Sequence, residues 1–183
     1  KEMGFSGVNN FPTHTIVDGH FRGVLEETGM SVKKEYEMIA LARRMDLFSI
    51  VYVGSPEEAR EMAKAGADAI IAHVGTTVGG SIGVTSAVVS WEHTLKVTQD
   101  IIDAAKQVRN DIFFLCHGGP INTPADAERV IQGTDCVGFV GATEAGDCAF
   151  ELDALDARPI AVVFLDGGGA ARVGGEVEGM ARL

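Results

Sequence analysis

Two histidines in this sequence stand at the ends of apolar runs. His73 closes Ala69-Ile70-Ile71-Ala72-His73, and His117 follows Ile112-Phe113-Phe114-Leu115-Cys116. An imidazole placed there can move a proton or donate to a developing oxyanion. His117 runs into Gly118-Gly119-Pro120, where nothing bulky shields it; the competing role is a histidine that caps a turn. His73 is followed by Gly75-Thr76-Thr77 and by Gly79-Gly80-Ser81-Ile82-Gly83. Amides and hydroxyls in such a loop, Gly79, Gly80 and Ser81 above all, can cradle an anion. The loop lacks the lysine of a P-loop, its glycines do not match the dinucleotide fingerprint, and a generic loop is the alternative. Asp18 offers a carboxylate for base or metal-ligand work, although Asp18-Gly19 is also an ordinary turn pair. Cys116 reads as a buried structural thiol rather than a nucleophile. His14, His20 and His93 have no comparable context and read as surface or packing residues.

These residues need elements to hold them. Short apolar runs begin near residues 5, 47, 67, 112 and 136, and amphipathic stretches separate them. The stretches run from His20 to Thr28, Val32 to Arg44, Trp91 to Val108 and Thr123 to Gln132, with one more opened by Ser55-Pro56-Glu57-Glu58. That last start has a capping serine, proline in the first turn and acidic neighbours. Apolar strands alternating with helices predict a parallel sheet covered by helices, either an open α/β sheet or part of a (β/α)8 barrel. In such folds ligands meet the carboxyl ends of the strands. The residues there are Asn10 and Thr13 in the first loop, Tyr52, His73, His117 with Gly118 and Gly119, and Gly141-Ala142. If the last two units end a barrel, Gly118, Gly119, Gly141 and Ala142 flank a phosphate or carboxylate site. Beyond Ala142 the pattern weakens, with Pro159 to Leu165 as one further candidate strand.

Composition narrows the function classes. The chain has 183 residues with 46% hydrophobic and 22% charged, an ordinary globular balance. A formal charge of −11 argues against binding a phosphate backbone. No apolar run approaches the roughly 18 residues of a membrane span. Three scattered cysteines make neither a disulfide framework nor a four-ligand zinc site. The expectation is a cytoplasmic protein that binds a small anionic substrate, with no nucleic acid and no membrane as partner.

Several longer motifs carry a resemblance. Gly4-Phe5-Ser6-Gly7-Val8-Asn9-Asn10-Phe11-Pro12-Thr13, Asp18-Gly19-His20-Phe21-Arg22, Leu25-Glu26-Glu27-Thr28-Gly29-Met30, Gly79-Gly80-Ser81-Ile82-Gly83 and Leu115-Cys116-His117-Gly118-Gly119-Pro120-Ile121 resemble the phosphoenolpyruvate hydrolase-like TIM-barrel family. They also resemble the carboxy-terminal part of a plant antiviral resistance protein. The resemblance implies a partial (β/α)8 barrel of about five carboxy-terminal β/α units, the first three missing. Residues 1–142 would form that portion and 143–183 a divergent tail. It further implies hydrolysis of phosphoenolpyruvate or a phosphonate relative, a small phosphorylated or carboxylated 2-oxo-acid-like substrate and, in some readings, a divalent metal such as Mg2+. Two other outcomes stay open: a non-catalytic ligand- or protein-binding barrel domain, and an inactive truncated copy. A barrel short of strands exposes sheet edges, which predicts a homo-oligomer or a partner chain.

Overall fold

Ser55 sets the start of the best-formed helix. Its hydroxyl accepts from the Glu58 amide, Pro56 takes the first turn, and Glu57 and Glu58 face the helix's positive end. This is α3 (Pro56–Ala65) in a computed structural model that describes residues 1–78, 89–141, 161–165 and 171–174. The other helices are α1 (Gly19–Glu27), α2 (Val32–Arg44), α4 (Trp91–Lys106) and α5 (Pro124–Gly133). α5 begins with a complete capping box in which Thr123 and Asp126 exchange bonds. The strands are β1 (Gly7–Asn9), β2 (Phe48–Val53), β3 (Ala69–His73), β4 (Phe113–His117), β5 (Gly138–Gly141), β6 (Ala161–Leu165) and β7 (Ala171–Gly174).

Contacts divide the chain into two units. The first comprises Lys1–Ile70 and Ile101–Phe113, the second Ile71–Asp100 and Phe114–Leu183. In the first, β1 pairs parallel with β2, Gly7 opposite Phe48 and Asn9 opposite Ile50. Ile39 and Ala42 of α2, Val51 and Val53 of β2, and Ala59, Met62 and Ala63 of α3 are buried, as are Ile101, Ile102 and Ala105. An apolar stripe at helical spacing on α2 and α3 thus meets a strand whose outer half is apolar on both faces. Asp68, just before β3, is fixed from two sides: it accepts from Ser49 N–H at 2.9 Å and pairs with Arg43 at 3.1 Å.

In the second unit β4 pairs parallel with β5 and β5 with β6, while β7 runs antiparallel to β6. Phe114, Leu115, Cys116, Phe139 and Val140 are buried here with Val130 and Ile131 of α5. Arg129 of α5 stacks over the Trp91 ring, 4.4 Å from its centroid. The fold is therefore α/β with parallel strands joined through helices, as the alternation of apolar and amphipathic runs predicts. Of the candidate strand at Pro159 to Leu165, Ala161–Leu165 forms β6, and the two residues before it lie outside the described residues. Among the described residues no helix is long and apolar enough to cross a membrane.

Candidate functional site

Each unit places polar side chains at the carboxyl ends of its strands, and the two sets differ in chemistry. In the first unit the set is built around two carboxylates. Asn10, buried beyond β1, accepts from the Tyr52 amide at 2.7 Å and donates back to its carbonyl at 3.1 Å, which locks the loop onto β2. Its Nδ2 also reaches Glu35 at 2.5 Å and Thr13 at 3.2 Å. Glu35 lies in the first turn of α2 and takes two further bonds, from the Thr13 hydroxyl at 2.8 Å and the His14 amide at 2.6 Å. Glu58 of α3 accepts from the Thr15 hydroxyl and from the Gly54 amide at 2.8 Å, and Arg22 of α1 stands 3.5 Å away. Burial first, and then Glu58, Glu61 and Glu35, push the Tyr36 phenol up to about 12. The first loop is consequently held by anionic groups that reach it from the helices.

That placement bears on two expected anion-binding residues. The side-chain donors of Asn10 and Thr13 are directed at Glu35, a carboxylate of the protein itself. Asp18 is exposed, precedes α1 and makes no side-chain capping bond. His14 is buried, with Nε2 3.5 Å from Glu26 of α1, although its sequence context offers nothing beyond a surface or packing role. Glu35 and Glu58 were invisible to sequence reasoning. A glutamate in the first turn of an amphipathic helix is the commonest solvated, dipole-complementing residue there is. We expect Glu35→Ala to cost about 2 kcal/mol, because it strips three donors of a charged acceptor. Urea denaturation read by circular dichroism checks this, and a loss below a few tenths of a kcal/mol would show the clamp to be ornamental.

The second unit gathers the histidines. His73 ends β3 and His117 ends β4, and their ring centroids are 5.3 Å apart with planes tilted by 47°. His117 is buried, and its Nδ1 lies 2.8 Å from the Val140 carbonyl of β5. The half-buried His73 accepts at Nδ1 from the Gly75 amide at 3.3 Å. Gly118 and Gly119 turn the chain out of β4 with φ of +86° and +58°. They are stitched to the loop after β3 by Gly119 N–H to Gly75 O at 3.1 Å and Val78 N–H to Gly119 O at 3.0 Å. Gly141 is the buried last residue of β5. The structure thus brings together His73, His117, Gly118 and Gly119, with Gly141 one residue past the carbonyl that holds His117. Gly79, Gly80, Ser81 and Ala142 lie outside the described residues. Cys116 is wholly buried, and its thiol is held well above the usual range by the Cys136 thiol and then by burial.

Burial lowers the pKa of His117, and the bond to Val140 only partly offsets this. The imidazole is therefore neutral at neutral pH. An unfolded histidine titrates at about 6.5, so below that pH the unfolded chain binds more protons than the folded one. The stability contributed by neutral His117 is present above that value and lost as pH falls toward the folded pKa. Urea midpoints measured from neutral pH down through the histidine range are expected to fall less steeply in His117→Gln than in the parent. Identical slopes would contradict the assignment.

Metal ligation is less well provided for. Among the described residues no three of His, Cys, Asp and Glu come together as a metal-holding group.

A family model described as phosphoenolpyruvate hydrolase-like matches residues 1–153. The ToMV susceptible protein tm-1(GCR26) and the ToMV resistance protein Tm-1(GCR237), both of Solanum lycopersicum, are each 49% identical over 144 residues. The match takes in 78% of this chain and 19% of each tomato protein, so the chain spans about a fifth of the length of these relatives. Among solved structures, a phosphonopyruvate hydrolase in complex with oxalate and Mg2+ superposes with a TM-score of 0.51 at 13% identity, covering 88% of this chain and 61% of that one. At that identity the likeness speaks for the fold alone. With a family model matched over most of its length, the chain belongs to the phosphoenolpyruvate hydrolase-like family.

Proposed function

We propose that this chain carries the working end of an enzyme acting on a small phosphorylated or carboxylated 2-oxo acid. The site is the carboxyl end of β3, β4 and β5. The observation that carries the reading is the pairing of His73 with His117 beside the Gly118-Gly119 turn: two imidazoles side by side, next to backbone free of side-chain bulk. The family description supports phosphoenolpyruvate, or a phosphonate relative such as phosphonopyruvate, as the substrate to try. Phosphoenolpyruvate loses phosphate by P–O cleavage and phosphonopyruvate by P–C cleavage, and both leave the enolate of pyruvate. A site that stabilises that enolate serves either substrate. In this reading the five parallel β/α units form part of a (β/α)8 barrel whose first three units are not among them, and Asn10, Thr13, Glu35 and Glu58 position the first loop. The oxalate complex contains Mg2+, so a divalent ion is added in one arm of the assay.

The test is incubation of the protein with each compound, with and without Mg2+, followed by measurement of inorganic phosphate and pyruvate. Release of both in equal amounts is expected. A second reading, a binding module without turnover, draws on the 49% identity to the tomato ToMV proteins. Saturable binding of phosphonopyruvate by calorimetry with no phosphate released would favour it over the enzyme.

A further inference from the structure

Helix α1 turns its charge toward the protein and its apolar residues away from it. Arg22, Leu25 and Glu26 share one face, at i, i+3 and i+4. From that face Arg22 reaches Glu58 of α3 at 3.5 Å, and Glu26 stands 3.5 Å from Nε2 of the buried His14. Leu25 is half-buried, and none of the nine residues of α1 is fully buried. Phe21 and Val24, about one turn apart on the other side, are 62% and 38% exposed. Ile16, in the single 3-10 turn ahead of α1, is 48% exposed. A surface helix ordinarily lays its apolar stripe on the core, and even about 12–15 residues make a marginal helix on propensity alone. The charges run against α1 as well. His20 and Arg22 stand in its first turn and Glu26 and Glu27 in its last, the reverse of the order that the helix dipole favours. Asp18, which precedes the first turn, makes no side-chain capping bond.

We propose that α1 is the centre of a two-fold interface with a second copy of this chain, the two α1 helices packing antiparallel through Phe21 and Val24. A copy fits better than an unrelated partner because α1 is complementary to itself turned end for end. About a two-fold axis the same patch serves both sides. The basic first turn of each helix then lies along the acidic last turn of the other, and the two dipoles oppose. Arg22 and Glu26 have side chains 39% and 40% exposed, so each still presents surface to a neighbour beyond its contact within the chain. Phe21 and Val24 leave water in both copies at once, which doubles the apolar gain. These local terms work against the repulsion between two chains of formal charge −11, which salt of physiological strength screens beyond about 8 Å. Two short helices bury less than the roughly 800 Å² a side of a standard interface, so the dimer is reversible and micromolar rather than obligate.

Sedimentation velocity of the protein across the micromolar range, in about 0.15 M salt, is expected to show a monomer–dimer equilibrium. Phe21→Asp is expected to weaken dimerisation by about a hundredfold or more, because a symmetric interface loses two phenyl rings and gains two like charges together. Phe21 is mostly exposed within its own chain, so this variant is expected to melt near the parent. A second measurement needs no disruptive change. Val24→Cys, treated with a short bismaleimide, is expected to link position 24 to itself across the axis, the joined peptides being identified by mass spectrometry. Arg44→Cys, at the far end of α2, is expected not to link to itself. If Phe21→Asp melts early, this cross-linking decides alone. A protein that stays monomeric throughout the range overturns the proposal. A dimer that a folded Phe21→Asp leaves intact also overturns it, as does one that links through Arg44→Cys and not through Val24→Cys.

Discussion

Replacing His117 with alanine is expected to lower phosphate release from the preferred substrate by about 10²–10⁴-fold, the usual contribution of a positioned acid–base group. The loss should fall on kcat more than on KM, because the residue is assigned a proton rather than the binding of the substrate's charge. The ring is buried, so truncation also opens a cavity behind the strand ends. His117→Gln separates the two effects: its amide can still donate to the Val140 carbonyl, keeping β4 tied to β5, but it cannot take up a proton. Loss of turnover in both variants, with the glutamine variant melting near the parent, is the expected pattern. If the glutamine variant turns over like the parent, His117 is a turn-holding residue and the acid–base assignment fails.

The largest expected effect on stability lies one residue further on. Gly118 has φ +86°, and a Cβ built on it stands 2.0 Å from the Gly75 carbonyl oxygen. Backbone, rather than the tip of a flexible side chain, blocks it. Gly118→Ala must therefore either break the stitching between the loops after β3 and β4 or shift both chains. A cost of about 3 kcal/mol or more follows. Gly119 is the internal control. Its φ of +58° is also left-handed, but a Cβ there meets Val74 at 3.1 Å and 3.2 Å. Gly119→Ala is expected to cost about 1–2 kcal/mol, the ordinary penalty of a left-handed alanine. Chemical denaturation of the two variants side by side checks the order. Equal costs would mean that the close approach to Gly75 relaxes freely.

Much of the framework could be read from the chain because its strands are nearly pure in apolar residues. The helix expected from Val32 to Arg44 is α2, end for end, and the run expected from Leu47 forms β2 from Phe48. Boundaries slipped where hydrogen bonding, rather than side-chain type, decides them. The run expected from Ile112 to Cys116 forms β4 from Phe113 to His117, because the His117 carbonyl still accepts from the Val74 amide at 3.0 Å. His117 is accordingly the last residue of its strand rather than the first of its loop. The histidine pair was visible as two residues at equivalent strand ends, but not the backbone groups that hold it. Those are the Val140 carbonyl, 23 residues away, and a Gly75 amide whose direction no side-chain pattern encodes. Glu35 and Glu58 were missed for a related reason. A helix's first-turn glutamate has the same sequence signature whether it faces water or a neighbouring loop.

Those two glutamates also decide how the loops beyond β1 and β2 breathe. The amides of His14 and Gly54 lie outside every α-helix and strand, yet each donates to a carboxylate carried by a helix. Native-state hydrogen exchange should find them protected far longer than loop amides that face solvent, and released by the same openings that release the first turns of α2 and α3. The loops beyond β1 and β2 then share their lifetimes with the helices behind them and not with the strands they leave.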